Sequence, residues 1–338
     1  MTQPVFKAHD GADLVNMLPI AFGFAPQESL CVLATHGPRN RFGFSARVDL
    51  PEERHLPEVT AMLLAHLVHH DADGAIVVSV GEDVERTRTA SMAMLRALEE
   101  DGRVTPVVIA WADDETVWST HDPEGSEYER TNHHAAVVQA VVEGRDIVAT
   151  RADLEARVQS VTGPRRQWLD ACAQEAALRV AATMLQGVRA AAPDTARDRV
   201  VSLVARGEDL TDGEVLELAV WVDLLPVRDV CWGLVERDDP THHLALWQRA
   251  ARLAPRELAV ASLCLVAVAA HRLGDGAQMR VALTAAEEIE PEYPSIEILT
   301  SLLDAGIGPA ELATLRHEAE RRAEERVERR SAPEAEGA

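Results

Sequence analysis

The chain has 338 residues, 47% hydrophobic and 26% charged, the balance of a globular protein with length for one large domain or two ordinary ones. Its formal net charge of -23 repels phosphate backbones and anionic lipid heads, so nucleic-acid or membrane-surface binding requires a local basic patch. The basic residues cluster only in the Arg-rich tail, where Glu neutralises them, so neither nucleic acid nor membrane is expected as a partner.

Lys7 is the only lysine, and with the abundance of Ala and Val this reads as a coding bias rather than a functional choice. Cys31, Cys172, Cys231 and Cys264 lie far apart with no C-x-x-C pair. Cys31 and Cys264 sit in apolar runs, where a free thiol behaves as a small core hydrophobe. The expectation is a reducing, cytoplasmic setting. The first fifteen residues lack a basic segment followed by an apolar one, so no signal peptide is expected, and the apolar run at 258–270 is too short to span a bilayer.

In chain order, Asp13 is placed to cap a short helix over 14–18 that Pro19 ends, and Gly23 supplies a left-handed corner before Pro26. Residues 29–35 (SLCVLAT) read as a buried strand, and Gly37-Pro38 marks a turn into a second, antiparallel strand over 41–50. Along that strand Phe42, Phe44, Ala46 and Val48 share one face while Arg47 and Asp49 share the other. A helical period over 56–70 is closed by Asp71 to Gly74; 75–80 reads as a strand, 82–101 as a helix, 104–111 and 116–119 as strands. This alternation predicts a mixed but largely parallel α/β sandwich with helices on its faces. Residues 121–131 form a polar loop, Asn132 is placed to cap a helix to 142, and Gly144 lies in the stretch that ends it.

From 151 onward the pattern is helical throughout: 151–161, 164–189, 195–205, 212–224, 227–236, 240–254, 256–273, 276–289, 295–305 and 308–329, most separated by Gly, Pro or Asp. Over 263–291, Gly274-Asp275 between two helices and a closing Pro291 are spaced like one tetratricopeptide unit, although Met279 stands where that pattern wants a small residue. The expected organisation is an α/β domain over 1–148, an all-helical hairpin domain over 149–318, and a charged tail over 319–338 whose last residues, 331–338, read as disordered.

Several stretches resemble the uncharacterised, mainly actinobacterial family catalogued as domain of unknown function 4192. They are LPIAFGFAPQESLCVL with RVDLP, then AAVVQAVVEGRDIVATRADLEARV, then VRDVCW, LALWQRAARLAP, HRLGDGAQMRVAL and LLDAGIGP. The resemblance runs over nearly the whole chain in order. It implies a bacterial cytosolic protein of about this length and carries over no catalytic residues. In the family the loop ahead of the middle helix often holds several Cys; here it reads WSTHDPEGSEY, so no metal or redox role is transferred to it.

Three groups of residues are candidates for chemistry. Ser29, Arg47 and Asp49 lie on adjoining strands as either a polar-ligand site or a register-pinning ion pair. His66 and His70 are spaced i,i+4, a metal-compatible pattern without the H-E-x-x-H motif, and a solvated helix end explains them as well. Asp113, Asp114 and His121 follow strands near the expected carboxyl edge of the sheet, where open α/β sheets take ligands, although a polar loop accounts for them too. His133-His134 and His242-His243 read as surface pairs at helix starts, and Trp221, Trp232 and Trp247 as core. There is no phosphate loop, no G-x-S-x-G elbow, and no expected catalytic residue, metal or cofactor. The leading expectation is a non-enzymatic interaction or regulatory protein that binds a protein partner through its helical half. The alternative is a small-molecule or hydrolytic site at the sheet edge; the oligomeric state is open.

Overall fold

The structure is a computed structural model that describes residues 8, 10–131, 133–143, 145–189 and 194–331. Helix α1 (Gly11–Phe22) is capped by the Asp10 carboxylate, which accepts from the Asp13 N–H at 2.8 Å. The cap thus lies three residues ahead of the expected Asp13, and Pro19 lies inside the helix instead of ending it. Pro19 removes one backbone donor, but Leu14, Val15, Met17, Leu18 and Phe22 are all buried, and that apolar face outweighs a single missing bond. The helix stops at Gly23, whose φ of 75° and N–H bond to the Pro19 carbonyl make a left-handed cap.

The hairpin β1 (Ser29–His36) and β2 (Arg41–Asp49) follows, then α2 (Leu56–His69), β3 (Gly74–Val80), α3 (Val84–Asp101), β4 (Thr105–Ala112), β5 (Thr116–Ser119) and β6 (Ser126–Glu127). The six strands form one mixed sheet in the order β2-β1-β3-β4-β5-β6. The sheet is not largely parallel: of these five pairings only β3–β4 is parallel. The period-based reading found the helical crossovers but not the place of β1. That strand lies between β2 and β3 and runs against both, so the crossover through α2 joins two strands that never touch. The turns after β4 are too short for a crossover, which forces β5 and β6 to return antiparallel.

Period-two alternation divides the sheet between two layers. Leu30, Val32, Ala34, Ala75, Val77 and Ile109 face α2 and α3, packing on Leu63, Leu67, Ala90, Met94 and Leu98. The α3 helix is tied to the parallel pair by Ser91 Oγ, which donates to the Ala110 carbonyl at 2.7 Å and lies 2.8 Å from the Ser79 hydroxyl. On the other side of the sheet β2 meets α1, where Ser45 Oγ donates to the Ala21 carbonyl. Helix α4 (Ala135–Val142) packs on α1 and is capped by His134. The expected cap Asn132 and the closing Gly144 lie outside the described residues, as do residues 332–338 of the expected tail, whereas 319–331 are helical, Ser331 included.

Beyond α5 (Arg151–Ala156) the described residues hold helices and no strand: α6 (Pro164–Arg189), α7 (Thr195–Arg206), α8 (Asp212–Val222), α9 (Leu225–Arg237), α10 (Pro240–Leu253), α11 (Ala259–Leu273), α12 (Gly276–Glu287), α13 (Pro294–Asp304) and α14 (Pro309–Ser331). Helix α11 is buried from Ala259 through His271 on all sides, with α8, α9, α10, α12 and α13 around it. This explains the apolar run at 258–270: a helix apolar all round is a core helix. The chain divides into two compact units, one reaching to Leu154 and the other starting at Glu155. Among the described residues no single helix is long and apolar enough to cross a membrane.

Candidate functional site

The β1–β2 pairing places Arg47 opposite Cys31 and Asp49 opposite Ser29, bringing the first predicted group together. Arg47 Nε donates to Ser29 Oγ at 2.8 Å and its Nη2 reaches Asp49 Oδ1 at 2.5 Å, while the guanidinium lies 5.6 Å from the Phe24 ring centre. Ser29 is fully buried and donates onward to the Gln27 carbonyl at 2.6 Å. Asp49 also faces Arg151 at 3.5 Å. The fork of Arg47 is thereby committed to the corner leading into β1, which is the register-pinning arrangement. Behind it, burial pushes the Cys31 thiol up to about 12 despite Arg47 and Arg130 nearby, so no thiolate nucleophile forms there at neutral pH.

The second group is divided by the fold. Asp113 Oδ1 accepts the N–H groups of Glu115 and Thr116 at 2.8 and 2.6 Å, closing the β4–β5 turn. Asp114 pairs with Arg130 at 2.5 Å, and Arg130 also donates to the Pro26 carbonyl. His121 does not join them. β5 runs back along β4, so the Thr120 N–H meets the Ile109 carbonyl and His121 lies well away from the carboxyl edge. The expected place of His121 at the carboxyl edge is therefore corrected: the short strand returns along β4 and carries its far end back from Asp113. Tyr128, absent from the sequence-based candidates, donates to the Asp113 carbonyl at 2.6 Å; burial pushes its phenol up to about 12.

At the turn after β3, where an open α/β sheet takes its ligand, the chain supplies its own carboxylate. Glu28, held at a φ of 41°, accepts the Glu82 N–H at 2.7 Å. A Cβ on Gly81 would come within 2.8 Å of Glu28 Oε1, so a larger residue there would push the carboxylate aside from the Glu82 N–H. Asp83 then takes the N–H groups of Glu85 and Arg86, both at 3.1 Å, and Arg86 donates to the Leu50 carbonyl. Glu28, Arg86, Arg130 and Arg151 carry no motif, and the sequence holds no local signal for them because the partners named here lie 16 to 104 positions away in the chain.

The histidines are packing groups. Phe44 stacks on His70 at 4.1 Å and 14° and lies 5.8 Å from His66. Among the described residues no group of three His, Cys, Asp or Glu is placed to hold a metal ion. The surface reading of the histidine pairs needs correction: His243 is fully buried, and His134 is half-buried between Asp13 and the Ala136 N–H. Trp221 and Trp247 are fully buried, as expected, and Trp232 Nε1 donates to Glu236 at 2.6 Å.

A different surface stands out on α6. Leu169, Ala173, Ala176 and Val180 form a buried seam of mostly small residues. Trp168, Leu178 and Leu185 point away from it and are 54%, 73% and 58% exposed. The sequence reading singled out the tryptophans of 221–247 and missed Trp168; its spacing to Leu178 and Leu185 was the available signal.

The family model described as Domain of unknown function (DUF4192) matches residues 12–310. The chain belongs to this family. No curated protein and no solved structure matches it. The DUF4192 match takes in the Arg47 corner, the β3–α3 turn and the whole of α6, so each feature described above belongs to the family's region of the chain.

Proposed function

We propose that this protein is a non-enzymatic interaction or regulatory factor, with the helical half as its partner surface and its consecutive helices stacked as tetratricopeptide-like hairpins. The observation that carries this reading is the outer face of α6, where Trp168, Leu178 and Leu185 stand in solvent on the side opposite the buried seam. Large apolar side chains gain little there in the isolated chain, whereas covering the exposed part of each contributes about 1 kcal/mol or more to association. The alternative, a ligand or hydrolytic site at the sheet edge, would require Arg47, Arg130 and Glu28 to release the partners they hold.

The test is a native pull-down with the full chain and its Leu178→Asp variant, read by quantitative mass spectrometry. A stoichiometric partner held by the first and lost from the second supports the reading. A partner retained equally by both, or none above background, sinks it.

A further inference from the structure

The outer face of α6 has more order than exposure alone. Trp168, Ala171, Glu175, Leu178, Ala182 and Leu185 are all exposed and follow one another at intervals of three, four, three, four and three. That is the a/d spacing by which one helix lies along another. Over the 17 steps from Trp168 to Leu185 the seam is about 26 Å long at 1.5 Å per residue. Taken as ~10 Å wide, one helix's breadth, it offers a few hundred Å², well below the ~800 Å² per partner of a standard interface between folded proteins. It fits a single helix.

The middle of the seam sets the charge of that helix. Glu175 has no hydrogen-bond or ion-pair partner among the described residues. Its natural intrahelical partner is Arg179, one turn on, in the favourable Glu-to-Arg i,i+4 order. Arg179 is turned away, donating to the Gly213 carbonyl at 3.0 Å and facing Glu217 at 3.5 Å. An occupant that covers Leu178 therefore desolvates a bare carboxylate unless it brings a cation. A second copy docked in parallel would set Glu175 against Glu175, and both chains carry a net charge of -23.

We propose that the outer seam of α6 receives an amphipathic helix of another protein, apolar at its a and d positions and carrying Lys or Arg at the seam position facing Glu175. This rests on the interaction reading above and adds the form and charge of the partner.

The experiment uses the full chain and two fluorescein-labelled synthetic amphipathic helices, identical except for Lys or Glu at the central seam position, followed by anisotropy. The Lys peptide is expected to bind about tenfold tighter or better than the Glu peptide. Glu175→Lys is expected to reverse that order, and Leu178→Asp to abolish binding of both. Equal binding with no reversal overturns the charge selection; if Leu178→Asp still removes both peptides, the interaction reading survives. If neither peptide binds, or Leu178→Asp changes nothing, both fall. Sedimentation of the full chain provides the remaining arm: a concentration-dependent dimer lost in Leu178→Asp would assign the seam to a second copy and overturn the proposal. Both substituted residues are solvent-facing, so unchanged circular dichroism and melting temperature verify that the variants fold.

Discussion

Arg47 Nε donates to the Ser29 hydroxyl at 2.8 Å, diagonally across the β1–β2 pair. The bond joins a mostly buried guanidinium to a fully buried hydroxyl at the corner where the chain enters its sheet.

A residue so placed acts on stability. Arg47→Ala leaves Ser29 Oγ with one partner fewer and empties the space over Phe24, and should lower the free energy of unfolding by about 1–3 kcal/mol. Arg47→Lys should recover only part of that, because an ammonium cannot hold Ser29 and Asp49 with one planar fork. Urea unfolding of the three proteins measures this; a wild-type midpoint for Arg47→Ala would return the residue to the ligand candidates.

Glu214 provides an acid-sensitive point in the helical unit. The bond from Arg206, then the Thr211 N–H of the α8 capping box, pull its carboxyl from 4.5 down to about 2. A folded-state value below the unfolded one means that the ionised carboxylate stabilises the fold above 4.5 and that this is lost as pH falls toward about 2. Glu214→Gln should therefore be less stable than wild type at pH 7, and the gap should close between pH 4.5 and 2. Urea midpoints at a series of pH values test the convergence; a constant gap refutes it.

His243 works in a neighbouring window. It is fully buried with neither ring nitrogen hydrogen-bonded, and the nearest carboxylate oxygen, on Asp238, is 3.6 Å away. Burial, then the adjacent His242, push its pKa below 6.5, and Asp238 only partly opposes them. Above 6.5 the ring is neutral in folded and unfolded chains alike. Below it the unfolded chain takes the proton first, so stability should fall with pH in this range. His243→Phe should flatten the slope just below pH 6.5, as read from melting temperatures; an unchanged slope would place its origin elsewhere.

Thiol chemistry separates the four cysteines. Burial pushes Cys31, Cys231 and Cys264 each up to about 12, whereas Cys172 is only partly covered on α6. Under native conditions a disulfide reagent should modify Cys172 alone at neutral pH, and Cys172→Ser should abolish that fast phase. A second fast-reacting thiol would show that one of the buried three is reached by opening of the fold.

Much of the architecture was legible because it follows from short-range rules. The change from period two to a helical period located β1, β2, α2, β3, α3 and β4 within one or two residues, and the bounds of α6 and β5 were read as they stand. Turn chemistry at Gly37 and the apolar run of α11 were equally plain, since Gly relieves a steric cost locally and a run without polar residues must be buried. The two-residue β6 was hidden in a polar loop because its pairing, not its composition, makes it a strand.

The alternation of faces, the helical second half and the shared face of Arg47 and Asp49 could be read locally, because each rests on residues a few positions apart. The place of β1 between β2 and β3, the Glu28 carboxylate at the turn after β3, the removal of His121 from Asp113, and the exposure of Trp168, Leu178 and Leu185 on α6 come instead from long-range packing. These outcomes depend on which surfaces meet. Both faces of α6 carry apolar residues at helical spacing, and packing against neighbouring helices covers the one without Glu175; the free energy of that choice lies in contacts between residues far apart in the chain.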